Sequence, residues 1–260
     1  MRLTLRLGGG FVLALIYGFI LLPLVVVFAS SLTAGELMQF PPQGLSLRWF
    51  ARFFADQALM QALGLSLQVA AITTVIVTVI GTMAALAHRA LNGWSKRWLR
   101  TGLLLPLLLP ELLTSIGLLF FLYRIGLGKT LVGLQIAHAV VTLPFAFVSI
   151  VAALDQLDPA LEDASNSLGA SAWDTFRRVV LPLVRGGIVT GALFAFVTSF
   201  DMFTVSFLLK PIGGNTLPLA LFDYLSYDYD PTAAAAAAVS VLLAIAGVVV
   251  IEKLVGLRNL

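Results

Sequence analysis

The chain contains no cysteine, which excludes disulfide bridges, thiolate metal ligands and cysteine nucleophiles. Charge is scarce too: only 11% of the 260 residues are Asp, Glu, Lys or Arg, less than half the share of an average soluble domain. The two histidines, His88 and His138, have no ligand-like spacing to each other, so a histidine metal centre has no support. What fills the chain instead is apolar, with 60% hydrophobic residues and a mean hydropathy of +1.01. These values describe an integral membrane protein. Several windows nearly free of charge can each supply the ~20 apolar residues of a bilayer-spanning helix, whereas the alternating strands of a membrane barrel are not apparent.

The hydropathy pattern predicts an all-α membrane protein of one domain, residues 1–260, with six transmembrane helices at about 10–32, 61–87, 102–123, 131–154, 186–209 and 233–255. The first apolar run is longer than the ~7 to 15 residues of a signal-peptide core, which makes it an uncleaved span. Lys and Arg set the orientation. One side of the membrane receives eleven (Arg2, Arg6, Arg89, Lys96, Arg97, Arg100, Arg177, Arg178, Arg185, Lys253 and Arg258) and the other five (Arg48, Arg52, Arg124, Lys129 and Lys210). The positive-inside rule then places both termini in the cytoplasm. Because the excess of positive charge tracks topology, the net charge of +3 is no sign of nucleic acid binding.

The outer loops differ in character. Arg48-Trp49-Phe50-Ala51-Arg52-Phe53-Phe54 suits a helix in the outer interface or an aromatic belt anchor. The last outer loop is acidic and aromatic, with Asp223, Tyr224, Tyr227, Asp228, Tyr229 and Asp230. Six alanines, Ala233 to Ala238, open the final span and permit close helix packing.

The longest cytoplasmic loop, 155–185, carries two helix signatures. Asp158-Pro159 is a helix start, an N-cap acceptor followed by proline at the first helical position, with Glu162 and Asp163 near the positive dipole end. Leu161, Ala164, Ser165 and Leu168 share one narrow face, and Gly169 supplies the break. Ser171 and Asp174 then form a capping box for a second helix, expected to run until Pro182. A helix of about ten residues, ~15 Å long, is marginal alone in water and must pack on something. Its carboxylates disfavour anionic lipid, so a protein groove is the expected partner.

The run Glu162-Asp163-Ala164-Ser165, then Leu168-Gly169-Ala170-Ser171 and Leu181-Pro182, resembles the EAA loop of permease subunits of bacterial ABC importers that work with a binding protein. In that family an acid and two small residues are followed by glycine six after the acid, and by Leu-Pro twelve and thirteen after the glycine. Here Asp163 stands for the usual glutamate and Ser165 for the second alanine. The resemblance covers the whole chain and implies a type I ABC importer permease fold. It further implies that 158–182 is a coupling segment docking on a cytoplasmic ATPase through Leu161, Glu162, Asp163, Ala164, Ser165, Leu168, Gly169, Ala170, Leu181 and Pro182. The implied partners are two ATPase subunits, a second permease chain expected to be a different one, an extracytoplasmic solute-binding protein and the lipid bilayer of a bacterial inner membrane. No nucleic acid is among them.

Hydrolysis by this chain itself finds little in the sequence. Gly128-Lys129-Thr130 looks like the end of a phosphate-binding loop, but the glycine required five residues before Gly128 is Tyr123. The loop also falls on the outer face. The chain is therefore expected to bind no cofactor, with ATP and Mg held by partner ATPase subunits. An intramembrane enzyme and an ion-coupled carrier are the rival classes.

Two acids lie within apolar spans, Glu111 after Pro110 and Asp201 among Thr198, Ser199 and Thr204. A carboxylate at a helix centre costs ~2.5 to 3.5 kcal/mol on insertion scales, so both should face the bundle interior or a watery path. Glu111 is equally well explained as a contact stabilising a proline-interrupted helix. Asp201, Glu111, Ser199 and Thr204 are the candidate path for a cation. The stretch from Ser199-Phe200-Asp201 to Thr216-Leu217-Pro218-Leu219 is similar to spermidine and putrescine permeases, which implies a polyamine-like solute. Other members of the wider group handle phosphonates, thiamine or ferric iron.

Overall fold

A computed structural model describes residues 2–255; Arg258, one of the basic residues used for orientation, lies outside them. Among the described residues all regular secondary structure is helical, apart from one isolated bridge between Thr33 and Leu45. It divides into two compact units.

The first unit comprises residues 1–60 and 220–243. It holds α1 (Arg2–Ser31), α2 (Arg48–Ala55), most of α11 (Leu217–Tyr227) and the first half of α12 (Thr232–Val255). The aromatic run at 48–54 forms α2, but two of its rings turn inward. Trp49 and Phe53 are buried, and the Trp49 indole N–H donates to the Thr33 carbonyl at 2.9 Å. Asp230 caps α12 by accepting from the Thr232 amide at 2.9 Å; it also accepts from the Tyr224 hydroxyl at 2.9 Å and pairs with Arg52 at 2.8 Å. The acidic, aromatic loop is thus partly a helix cap. Ala233 to Ala236 and Ala238 are buried, as small residues at a close packing face should be.

The second unit comprises residues 61–219 and 244–260. It is built from most of α3 (Gln57–Ala90), then α4 (Gly93–Leu108), α5 (Glu111–Arg124), α6 (Leu131–Asp155), α7 (Pro159–Ser167), α8 (Ala172–Thr175), α9 (Leu181–Phe200) and α10 (Thr204–Leu209). α6 runs through its centre. Ala146, Phe147, Ile150 and Leu154 of α6 pack with Val77 and Ala85 of α3 and with Val184 and Ala195 of α9. Glycine makes the crossing of α6 and α9 close. A Cβ added at Gly191 would stand 2.9 Å from Ala146 Cα, and one at Gly187 would run into the Ala153 side chain. Across α6, a Cβ on Gly81 would meet the Ala146 methyl at 3.0 Å. Ala146 is therefore held between two glycines of two different helices, a small-residue contact of the kind that lets membrane helices approach.

Among the described residues, four helical stretches are long and apolar enough to cross a membrane: Gln57–Ala90, Leu131–Asp155, Ala172–Phe200 and Thr232–Val249. Leu15–Ser31 is a shorter apolar helix. The stretch expected as one span over 102–123 is two helices, α4 and α5, meeting at 106°. Leu109 is forced out of the helical region by the proline that follows it, with φ −90° and ψ 148°. The stretch over 186–209 is interrupted as well, because α9 ends at Phe200 and α10 starts only at Thr204.

Pro182 does not end the helix that opens at Ala172, as its position suggests it would. The chain is helical from Ala172 to Phe200, with a π-helical turn over Phe176–Val180 just before the proline. Pro182 lacks the N–H that would reach back to the Arg178 carbonyl, and the wider turn absorbs that loss. The Leu181 amide accordingly donates to the Phe176 carbonyl, five residues back.

Candidate functional site

The short helix α7 begins and ends as its residues dictate. The Asp158 carboxylate accepts from the Ala160 amide at 2.9 Å, with Pro159 at the first helical position. At the other end Gly169 takes φ +80°, and the Ala170 amide donates to the Ser165 carbonyl at 3.2 Å, closing a glycine-terminated C-cap. Ser171 caps α8, accepting from the Asp174 amide at 3.1 Å.

Of the face expected to pack, Leu161 and Leu168 are exposed, Leu168 by 89%, and Ala164 is exposed beside them. Ser165 is not part of this open strip; its hydroxyl lies 2.9 Å from that of Thr175 in α8. Glu162 is likewise turned into the chain, where it pairs with Arg89 at the end of α3 at 2.7 Å. Asp163 and Gly169 are exposed. Leu181 and Pro182 belong to the start of α9, and Ala170 is half-buried. The helix therefore has two sides, one fastened to α3 and α8 and one bare.

Glu111 and Asp201 both sit at helix breaks and not in mid-helix. Glu111 is the first residue of α5, immediately after the bend at Leu109-Pro110. Asp201 terminates α9, its amide donating to the Val197 carbonyl at 3.1 Å. The two breaks open on the same cavity of about 510 Å³, whose wall includes Glu111, Val141, Phe145, Thr198, Asp201 and Thr204. Both acids are exposed in the isolated chain.

Ser199 belongs elsewhere. It is buried, and its hydroxyl is 2.9 Å from Nδ1 of His138 in α6. His138 Nε2 is 3.1 Å from the hydroxyl of Ser206 in α10. Sequence periodicity gives no sign of this triangle, whose members are 61 and 68 positions apart. A lone histidine inside an apolar run is its only trace in the sequence.

The Gly-Lys-Thr run is a helix start. The Thr130 hydroxyl accepts from the Gly133 amide at 3.0 Å and so caps α6, while a Cβ on Gly128 would strike the Tyr123 ring at 2.6 Å. Among the described residues no group of three or more His, Asp or Glu side chains is placed to hold a metal ion.

Comparison with known proteins agrees with this architecture. Residues 77–256 match the family model described as "Binding-protein-dependent transport system inner membrane component". The spermidine/putrescine transport system permease protein PotC of Haemophilus influenzae is 25% identical over 244 residues, covering 94% of both chains. The sulfate transport system permease protein CysW of Synechocystis is 35% identical over 122 residues, 46% of this chain and 44% of that one. Among solved structures, a bacterial alginate ABC transporter in complex with an alginate-bound periplasmic protein contains a chain that superposes with a TM-score of 0.73 at 15% identity, covering 97% of this chain and 94% of that one. At that identity the likeness is one of fold.

Proposed function

We propose, from the premise that this chain belongs to the family of binding-protein-dependent transport system inner membrane components, that it forms half of a translocation pathway for a small cationic solute, with polyamines the leading candidates. It is a non-catalytic permease subunit of a multi-pass inner-membrane importer. Six crossings result if Leu15–Ser31 and the bent pair α4–α5 each count as one beside the four long helices. The uneven placement of Lys and Arg puts both termini in the cytoplasm. The whole chain then acts as one permease domain.

In this reading α7 is the coupling helix. Its bare strip of Leu161, Ala164 and Leu168, with Asp163 beside it, docks on one of two ATPase subunits, and Gly169, Ala170, Leu181 and Pro182 carry the connection into α9. Glu162 and Ser165 contribute from the other side by holding the helix to α3 and α8. A second permease chain completes the pore, and a solute-binding protein delivers cargo from outside. ATP and Mg belong to the ATPase partners, and no cofactor is assigned to this chain.

The observation that carries the solute class is the shared cavity of Glu111 and Asp201, with Thr204 on the same wall. Two carboxylates around one water-accessible space attract a cation, and opposed charges in a partly desolvated site interact more strongly than in bulk water. Ser199 serves this path indirectly, by fixing the break at Asp201. The similarity to CysW over 46% of the chain raises sulfate as a second reading, but the same two carboxylates would repel an anion.

The test is ATP-dependent uptake into vesicles containing the permease pair and ATPases, supplied with the binding protein. Putrescine uptake should fall about tenfold or more in Asp201→Asn while the complex still purifies intact. Sulfate uptake that is indifferent to Asp201→Asn would exclude the cation reading.

A further inference from the structure

The break at residues 201–203 is bounded by two serines that answer to one side chain. Ser199 is in the last turn of α9 and Ser206 in the first turn of α10, and His138 of α6 reaches both, at 2.9 Å and 3.1 Å. All three are buried, at 1%, 3% and 0% exposure for His138, Ser199 and Ser206. A neutral imidazole has one donor and one acceptor nitrogen, and a serine hydroxyl serves as either partner, so both tautomers satisfy the contact. Thr142, one turn on in α6, spends its hydroxyl on the His138 backbone carbonyl at 2.7 Å and leaves the imidazole to the two serines. Met202 and Val205, also buried, pack with Leu134 and Ala137 of α6 in the same cluster. Between the two serines, Asp201 lines the cavity together with Met202, Phe203 and Thr204, and it is the one charged residue among them.

We propose that His138 is a positioning residue of the solute path: it clasps the helical pieces on either side of the break and thereby sets where the Asp201 carboxylate stands in the cavity. An unbroken helix would continue past residue 201; here the ladder of α9 ends with the Asp201 amide on the Val197 carbonyl, and residues 202–203 belong to neither helix. The two hydroxyl contacts replace the missing ladder across the gap. His138 touches no solute, and its influence reaches the path only through the two serines. The inference rests on the reading of the cavity as the path.

The chain lacks cysteine, so an Asp201→Cys variant carries a single thiol in this subunit. In the assembled transporter in membrane vesicles, the reaction rate of that thiol with a cationic methanethiosulfonate reports its place in the cavity. Adding His138→Leu, of similar volume but without polar atoms, should change the rate about tenfold, the scale expected for losing two hydrogen bonds. Adding Ser206→Ala, which keeps the Ser199 contact but opens the bridge, should shift the rate in the same direction. His138→Gln, which keeps a donor and an acceptor, should bring it back towards the starting value. If His138→Leu prevents assembly, the Ser206→Ala rate decides. A thiol that reacts equally fast with and without the bridge overturns the clasp and leaves the path reading standing. A thiol unreactive in every background removes the path reading, and the clasp with it.

Discussion

Arg89, in the last turn of α3, holds its Nη1 2.7 Å from a carboxylate oxygen of Glu162 in α7. Both side chains are about one-third exposed or less, so water screens the pair less than a fully exposed one. The contact ties the short helix α7 to the end of the long apolar helix α3, beside His88, which stacks edge-on against Phe147 of α6 at 5.4 Å. Arg89→Glu should therefore lower ATP-driven uptake about tenfold, since two carboxylates would then face each other. The double variant Arg89→Glu with Glu162→Arg should recover most of it. Uptake in vesicles measures both, and a double variant no better than the single one would refute the link.

Gly169 at φ +80° is the second handle on α7. A branched residue there is strained whatever the space around it, by about 1 to 2 kcal/mol. Gly169→Val should weaken co-purification with the ATPase subunit, whereas Gly169→Asn, which tolerates the left-handed region better, should keep most of it. Equal retention of the ATPase by the two variants would contradict this.

The crossing of α6 and α9 makes a prediction about packing alone. Gly191→Leu would drive a side chain into the α6 backbone at Ala146, with a cost of about 1 to 3 kcal/mol or more. Gly247→Ala is the control, because its new methyl would meet the Phe196 ring at an ordinary 3.5 Å. Thermal unfolding in detergent should separate the two by several degrees, Gly191→Leu melting lower.

Asp230 serves three partners, the Arg52 guanidinium, the Tyr224 hydroxyl and the Thr232 amide. Removing it costs a helix cap as well as an ion pair, about 1 to 2 kcal/mol. Arg52 is largely exposed, and an exposed ion pair contributes little, about 0 to 1 kcal/mol. Asp230→Ala should thus lower the melting temperature clearly more than Arg52→Ala, and the reverse order would show that the pair and not the cap matters.

Local chemistry made the short helices legible. Asp158-Pro159 and Ser171 with Asp174 open α7 and α8 where the sequence places them, and Gly169 closes α7. The same rules misjudged Pro182, because a proline near the start of a long apolar helix can be absorbed by one wide turn upstream. Hydropathy counts apolar residues without regard to direction, so it joined α4 to α5 and α9 to α10 across breaks at Pro110 and Asp201. The acids were found as charges in apolar runs, but their meeting at one cavity depends on how α5 and α9 pack. Partners distant in the chain, such as Glu162 with Arg89 or His138 with Ser199 and Ser206, leave no local pattern at all.

If a push reaches its Ala172 end, the helix from Ala172 to Phe200, continuous through its wide turn, would act as a lever. Its fulcrum would be the glycine crossing at Gly187 and Gly191, where a side chain has no room against α6. About seventeen residues lie on the Ala172 side of that point and about eleven on the Phe200 side, arms of ~26 Å and ~16 Å at 1.5 Å per residue. A sideways push at the first end would arrive at Asp201 reversed in direction and reduced by roughly two-fifths.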